Sequence, residues 1–288
     1  MWKQKLGLGI LGLPGMSVAD EIRAMRKVGF EAFFTGWSKG DPVEEWAKVA
    51  AECGMIYQSI HAPFGRAADI WGADDEKGNA AVAELCDCLD ACRRAGVPIM
   101  VAHAFIGFKD HSPTEIGLTR FERVVRHAEK RGVKIALENT EGIEYLDALL
   151  AHFKDNKTVG FCWDTGHEMC YNYSEDLLAR WGDRLLATHV NDNLGIRDVS
   201  GEITWIDDLH LLPFDGIGDF SEKMARLARA RTPDVLTFEL SLRSKPDRRE
   251  NAPYARMEPI DYLTACYIRA CRVGALLIRA RGNGHFDF

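Results

Sequence analysis

VKIALENTEG (133–142) and TVGFCWDTGHEM (158–169) carry the decision on the fold, with a helical pattern between them. Each opens with a short run that is apolar on both faces, as a strand covered by helices must be. Each run ends on a carboxylate, Glu138 in the first and Asp164 in the second. One such pair is a strand–helix–strand unit, which joins parallel strands.

The same pattern extends in both directions. Similar runs stand at LGLGILG (6–12), FEAFFTGW (30–37), MIYQSIHAPF (55–64), VPIMVAHAFIG (97–107), LLATHVND (185–192) and VLTFELSL (235–242). Helical patterns separate them. SVADEIRAMRKVG (17–29) has Ser17 as N-cap and Gly29 as stop, and DPVEEWAKVAAECG (41–54) repeats the logic with Asp41, Pro42 and Gly54. NAAVAELCDCLDACRRAG (79–96) ends at Gly96, TRFERVVRHAEKRG (119–132) at Gly132, and PIDYLTACYIRACRVGALLIRA (259–280) is the last helix. Eight strand candidates, each followed by a helix candidate, predict a (β/α)8 barrel in one domain over 1–288. The alternative is an open doubly wound sheet, but no GxGxxG follows the first run to mark a nucleotide site there. The longest irregular stretch is 193–217, and long loops in compact domains are usually functional.

Charge and composition narrow the function. The chain has 288 residues and a formal net charge of −7. That balance argues against a surface that tracks nucleic acid along its length. No stretch approaches the roughly twenty consecutive apolar residues of a membrane helix. The start, MWKQKLGLGILGLPGM (1–16), reads as a first strand and not as a leader, because Gly7, Gly9, Gly12 and Pro14 break its apolar run. Eight cysteines with no CxxC pair suit buried, reduced thiols and a cytoplasmic protein.

Barrels place their chemistry at the C-terminal ends of the strands. Here those ends carry His61, His103, Glu138, Asp164 with His167 three residues on, His189 and Glu239. The 193–217 stretch adds Asp208 and His210, whose side chains point the same way if that stretch is extended. A lone His or Glu at a strand end is usually a capped surface group. Carboxylates converging from several ends of one rim repel each other without a cation, so a divalent metal is expected, with Mn or Zn suited to mixed oxygen and nitrogen donors. Trp37, Phe64, Phe105, Trp163 and Trp205 are candidates for walling a pocket. Arg197 is a candidate substrate contact, and Arg243, Lys245, Arg248 and Arg249 follow the last strand, where barrels often bind phosphate.

ALENTEG (136–142), FCWDTGHEM (161–169), THVNDN (188–193), DLHLLPFDGIGDF (208–220) and FEL (238–240) resemble the xylose isomerase-like barrel superfamily across nearly the whole chain. That group holds sugar and sugar-phosphate isomerases and epimerases, and also the endonuclease IV repair enzymes. The resemblance to the isomerase branch implies a metal on Glu138, Asp164, His189 and Glu239. It gives Glu138 and Glu239 the acid and base roles, and His167 a substrate contact; His61 and His103 are further candidates for one. The endonuclease branch holds three zinc ions and implies His61, His103, His167, Asp208 and His210 as further ligands. The expected function is therefore a metal-dependent sugar or sugar-phosphate isomerase or epimerase working through an enediolate, with one to three ions. The alternative is a zinc-dependent phosphodiesterase acting on abasic DNA. Neither a nucleic acid nor a membrane is the expected partner, and family members suggest a homo-oligomer by analogy.

Overall fold

In the computed structural model, which describes residues 3–109, 112–196 and 202–282, the eight apolar runs form eight strands. They are β1 (Lys5–Gly9), β2 (Ala32–Gly36), β3 (Ile56–His61), β4 (Ile99–His103), β5 (Lys134–Glu138), β6 (Val159–Asp164), β7 (Leu185–His189) and β8 (Val235–Phe238). Strands β1 to β7 pair in parallel in chain order, and β8 returns to pair with β1. The β7–β8 seam is drawn together by Val190 N donating to Thr237 O at 2.8 Å and Thr237 N to Thr188 Oγ1 at 2.9 Å. Glu239 N donates to Val190 O at 3.3 Å, so the seam itself positions Glu239. The molecule is a TIM barrel.

Helices cover the outside: α1 (Val18–Val28), α2 (Val43–Cys53), α3 (Asp75–Ala95), α4 (Glu115–Arg131), α5 (Ile143–His152), α6 (Thr165–Cys170), α7 (Leu177–Trp181), α8 (Phe220–Arg229) and α9 (Pro259–Gly282). Ser17 caps α1 as its sequence implied, and Gly29 ends it at φ 125°. Asp41 does not cap α2. Pro42 stands at that cap without a side-chain bond, and Asp41 instead accepts from Ser38 N at 2.7 Å. Two helices start earlier than their apolar patterns do. Asp74 caps α3 and Thr114 caps α4, each adding a polar first turn. Among the described residues no helix is long and apolar enough to cross a membrane.

The main core lies between strands and helices, with Leu8, Phe33, Ile60, Ile135, Leu137 and Phe161 all buried there. A second, smaller cluster joins Val101, Ala136, Cys162 and Ala187. Side chains alternate along a strand. The residues two positions on from this cluster are His103, Glu138, Asp164 and His189, so these ligand-type side chains continue the same face at its C-terminal end.

Candidate metal centre

Strand register sets the first contacts. His103 is the cross-strand partner of Glu138, and Asp164 that of His189. Glu138 is fully buried. Its Oε2 lies 3.1 Å from His61 Nε2 and 3.4 Å from His103 Nε2, and its Oε1 lies 2.8 Å from His189 Nδ1. That same His189 nitrogen lies 2.8 Å from Glu239 Oε2. Glu138, Asp164, His189 and Glu239 each offer one ligand atom within 4.8 Å of the others. So do His61, His103 and Glu138 on one side, and Asp164, His167 and His210 on the other.

The long loop after β7 supplies the last two groups. Asp192 folds it by accepting backbone N–H from Phe214 and Gly216 on Oδ2 and from Gly218 on Oδ1, each at 2.9 Å. Asp208 Oδ1 then lies 3.4 Å from both His167 Nε2 and His210 Nδ1. The extended backbone that would point this pair the same way is not present at His210, which is left-handed at φ 48°. Both side chains still reach the rim groups, Asp208 at His167 and His210 at 3.6 Å from Glu239. Arg197 lies outside the described residues.

Two histidines test whether a cation fits. His61 Nδ1 lies 2.8 Å from the Ala62 carbonyl, and His167 Nδ1 lies 3.0 Å from the Asn139 carbonyl. A carbonyl only accepts, so in each ring this nitrogen carries the proton. A neutral ring then turns its Nε2 lone pair onto a carboxylate, Glu138 for His61 and Asp208 for His167. Lone pair against carboxylate is repulsive unless a cation or an extra proton lies between. A backbone carbonyl on the far nitrogen is also the usual partner of a metal-bound imidazole. Buried His103 Nδ1, His189 Nε2, Asp208 Oδ1 and His210 Nε2 have no hydrogen-bond partner. The residues present fit a divalent ion.

The electrostatics agree. Burial pushes the Asp164 carboxyl up to about 6, against the pull of His167 and His210. Burial also opposes ionisation of Glu138 and Glu239. The imidazoles around them outweigh it, with His189 foremost, and hold both well below the usual carboxylate range. Burial opposes charge on His210 as well, yet Asp208 and Glu239 bring it up to about 9. In this arrangement protons on the imidazoles balance the carboxylates, and a metal competes for the same atoms.

A cavity of about 470 Å³ opens beside this cluster, lined by Ile10, Trp37, Phe64, His61, His210 and Glu239 among others. Trp37 and Phe64 wall it as their positions suggested. Phe105 instead stacks on Tyr145, 4.0 Å between centroids, and Trp163 is buried with its Nε1 on Glu168. Trp205 is exposed, with the Lys245 ammonium 5.4 Å from its ring centre. In the 243–249 loop Lys245 reaches Asp208 at 3.3 Å and Arg248 pairs with Glu250 at 2.6 Å. Several supporting residues were not singled out from sequence. Asn191 Nδ2 donates to Asp164 Oδ2 at 2.8 Å, Asn139 Oδ1 accepts from Asp164 N at 2.8 Å, and Phe34 stacks on His189 at 4.5 Å. Asn139 and Asn191 each adjoin or follow a strand-end ligand, which was the available signal.

A fold of eight parallel strands with this rim defines a class, and the sequence agrees with it. A model of the xylose isomerase-like TIM barrel family matches residues 22–265, and the chain belongs to that family. It is 29% identical over 228 residues to the uncharacterized protein y4fM of Sinorhizobium fredii (strain NBRC 101917 / NGR234), covering 68% of this chain and 70% of that protein. The barrel superposes on the IolI protein with a binding zinc atom at a TM-score of 0.71 and 16% identity, covering 99% of this chain and 100% of that one. L-ribulose 3-epimerase gives 0.70 and 16%, covering 98% and 97%. A xylose isomerase-like TIM barrel/4-hydroxyphenylpyruvate dioxygenase fusion protein gives 0.74 and 15%, covering 98% of this chain but 45% of that longer one. At these identities the solved structures share the fold.

Proposed function

We propose that the chain is a divalent-metal-dependent isomerase or epimerase of a small sugar or sugar phosphate. The observation that carries this reading is the convergence of ligand atoms from Glu138, Asp164, His189 and Glu239, with Glu239 lining a cavity of small-molecule size. These four residues would hold the ion, with Mn or Zn the best match to their donors. When bound, such an ion supplies Lewis-acid polarisation of a carbonyl beside it. The names of two structural neighbours, IolI with zinc and L-ribulose 3-epimerase, support the same chemistry.

The two glutamates differ in access. The Glu239 side chain is 26% exposed toward the cavity and that of Glu138 is 0% exposed. Glu239 is therefore the group that takes the proton. The C–H bond next to the substrate carbonyl breaks, its proton passes to Glu239, and the electron pair enters the carbonyl system to give an enediolate. The proton on Glu239 then returns to the adjacent carbon and closes an isomerisation; an epimerisation needs a second proton on the opposite face, for which Glu138 would have to enter the turn protonated, with His61 Nε2 at 3.1 Å as a relay. Trp37 and Phe64 face the apolar side of the sugar, and His61 and His210 meet its hydroxyls.

The test is solvent exchange. Given its ketose in D₂O, the wild type incorporates deuterium next to the carbonyl. Glu239→Gln loses this exchange by about 100-fold or more, because an amide takes no proton. Metal content of the variant is measured alongside, so that loss of the ion is not read as loss of the base. Turnover without exchange contradicts proton transfer and indicates a hydride shift.

A second reading has one specific observation in its favour. The His61–Glu138 and His167–Asp208 contacts each fit a cation of their own, which suits a three-ion phosphodiesterase acting on abasic DNA. Nicking of abasic duplex at moderate salt, with no exchange on any ketose, decides for it.

A further inference from the structure

A second cavity, also of about 470 Å³, opens beyond the metal centre on the β4–β6 side of the same rim. Its aromatic lining is Phe108, Tyr171 and Tyr173, and its polar lining includes Lys109, Glu141 and Glu202. A run of rings joins it to the first cavity. His210, which lines the first, lies 5.5 Å from His167 between centroids; His167 stacks on Tyr171 at 5.1 Å; Tyr171 meets Phe108 edge-on at 5.7 Å.

Resting on the sugar reading of the metal site, we infer that this second cavity is a subsite for a further sugar ring, so that the substrate is an oligosaccharide whose ring at the metal site keeps its carbonyl, and not a free monosaccharide. Three features select that occupant. Phe108 and Tyr173 are large aromatics that stay exposed, Tyr173 to 71%, and offer flat faces for the C–H face of a pyranose. Tyr173 and Ser174 are both left-handed, φ 53° and 57°, a backbone state that residues with side chains adopt at a cost. Among the described residues the charged lining is Glu141, Glu144, Glu175 and Glu202 against Lys109, with Glu175 also paired to Arg180 at 2.7 Å and Glu141 also accepting from Gly107 N at 2.9 Å. Ionised carboxylates only accept hydrogen bonds, so they suit a ring of hydroxyl donors and disfavour a phosphate or a DNA strand. The ring belongs to a neutral saccharide.

The test uses the protein loaded with Mn²⁺ and calorimetric titration with glucose, trehalose, maltose, cellobiose, gentiobiose and maltotriose. At least one oligosaccharide binds the wild type about 10-fold tighter than glucose. Tyr173→Ala and Phe108→Ala remove most of that gain and leave glucose affinity within about twofold of wild type, with unchanged circular dichroism. Oligosaccharides no tighter than glucose, or a gain that survives both variants, overturn the subsite while glucose binding leaves the sugar reading standing. Absence of binding by glucose and by every oligosaccharide overturns the subsite, and the exchange test on ketoses then decides the sugar reading. A smaller sedimentation coefficient in Tyr173→Ala with no change in oligosaccharide affinity assigns the patch to a second copy of the chain and also overturns the subsite.

Discussion

Asn191 ties the end of β7 to the end of β6. Its Nδ2 donates to Asp164 Oδ2 at 2.8 Å, while Asp164 Oδ1 accepts from His167 N at 2.6 Å. The carboxylate is thus oriented before any ion arrives. Removing a partner of this kind costs about 10–100-fold in metal affinity, so Asn191→Ala is expected to weaken Mn²⁺ binding by that much in calorimetry. Asp164→Asn, which removes the charge itself, weakens it further. Wild-type affinity in Asp164→Asn removes Asp164 from the ligand set. At this scale the sequence was partly legible. The candidate ligands were legible only as a set: a lone His or carboxylate ending an apolar run is usually a capped surface group, but here His61, His103, Glu138, Asp164, His189 and Glu239 stand at six such ends. Asn191 gains its role from the neighbouring strand β6 and Phe34 from β7 across the barrel, and no single segment records either contact. Lys245 is similar: its Asp208 contact spans two loops.

The segment from β6 into α6 shows what an element contributes. Asp164 is both a strand end and the N-cap of α6. Gly166 lies against Asn191, and a Cβ there would come within 1.9 Å of Asn191 Oδ1. Gly166→Ala is therefore expected to push Asn191 off Asp164, costing about 1–3 kcal/mol of stability and also weakening metal binding. Thermal melts and metal titration at wild-type values would show that the contact relaxes freely. Below the rim, Glu168 of α6 accepts from Trp163 Nε1 at 2.8 Å and pairs with Arg226 of α8 at 2.6 Å, which fixes α6 from behind. Strands were legible because a covered strand must be apolar on both faces. Helix starts were less so. The polar first turns of α3 and α4 carry no apolar periodicity, and only Asp74 and Thr114 mark them. The loop after β7 was legible as long, but its fold depends on Asp192 collecting distant backbone N–H groups.

Across the whole molecule, buried charge ties stability to the proposed ion. Glu138, Asp164 and Asp208 are buried around one site with Glu239 half-buried beside them. Like charges taken out of water together are costly without a counter-charge. A metal that binds only the folded state adds about 2.7 kcal/mol at one hundred times its Kd. The melting temperature is therefore expected to rise by about 5 °C or more between EDTA and saturating Mn²⁺ or Zn²⁺. Equal melts would mean that the cluster needs no ion. The overall charge of −7 acts at the same scale, since affinity for DNA rests on neutralised phosphates. The most direct test is anomalous scattering from crystals grown with Mn²⁺ or Zn²⁺, collected on both sides of the metal edge. An element-specific peak bounded by Glu138, Asp164, His189 and Glu239 is the predicted result. No peak among those four side chains, at full metal saturation of the crystal, contradicts it.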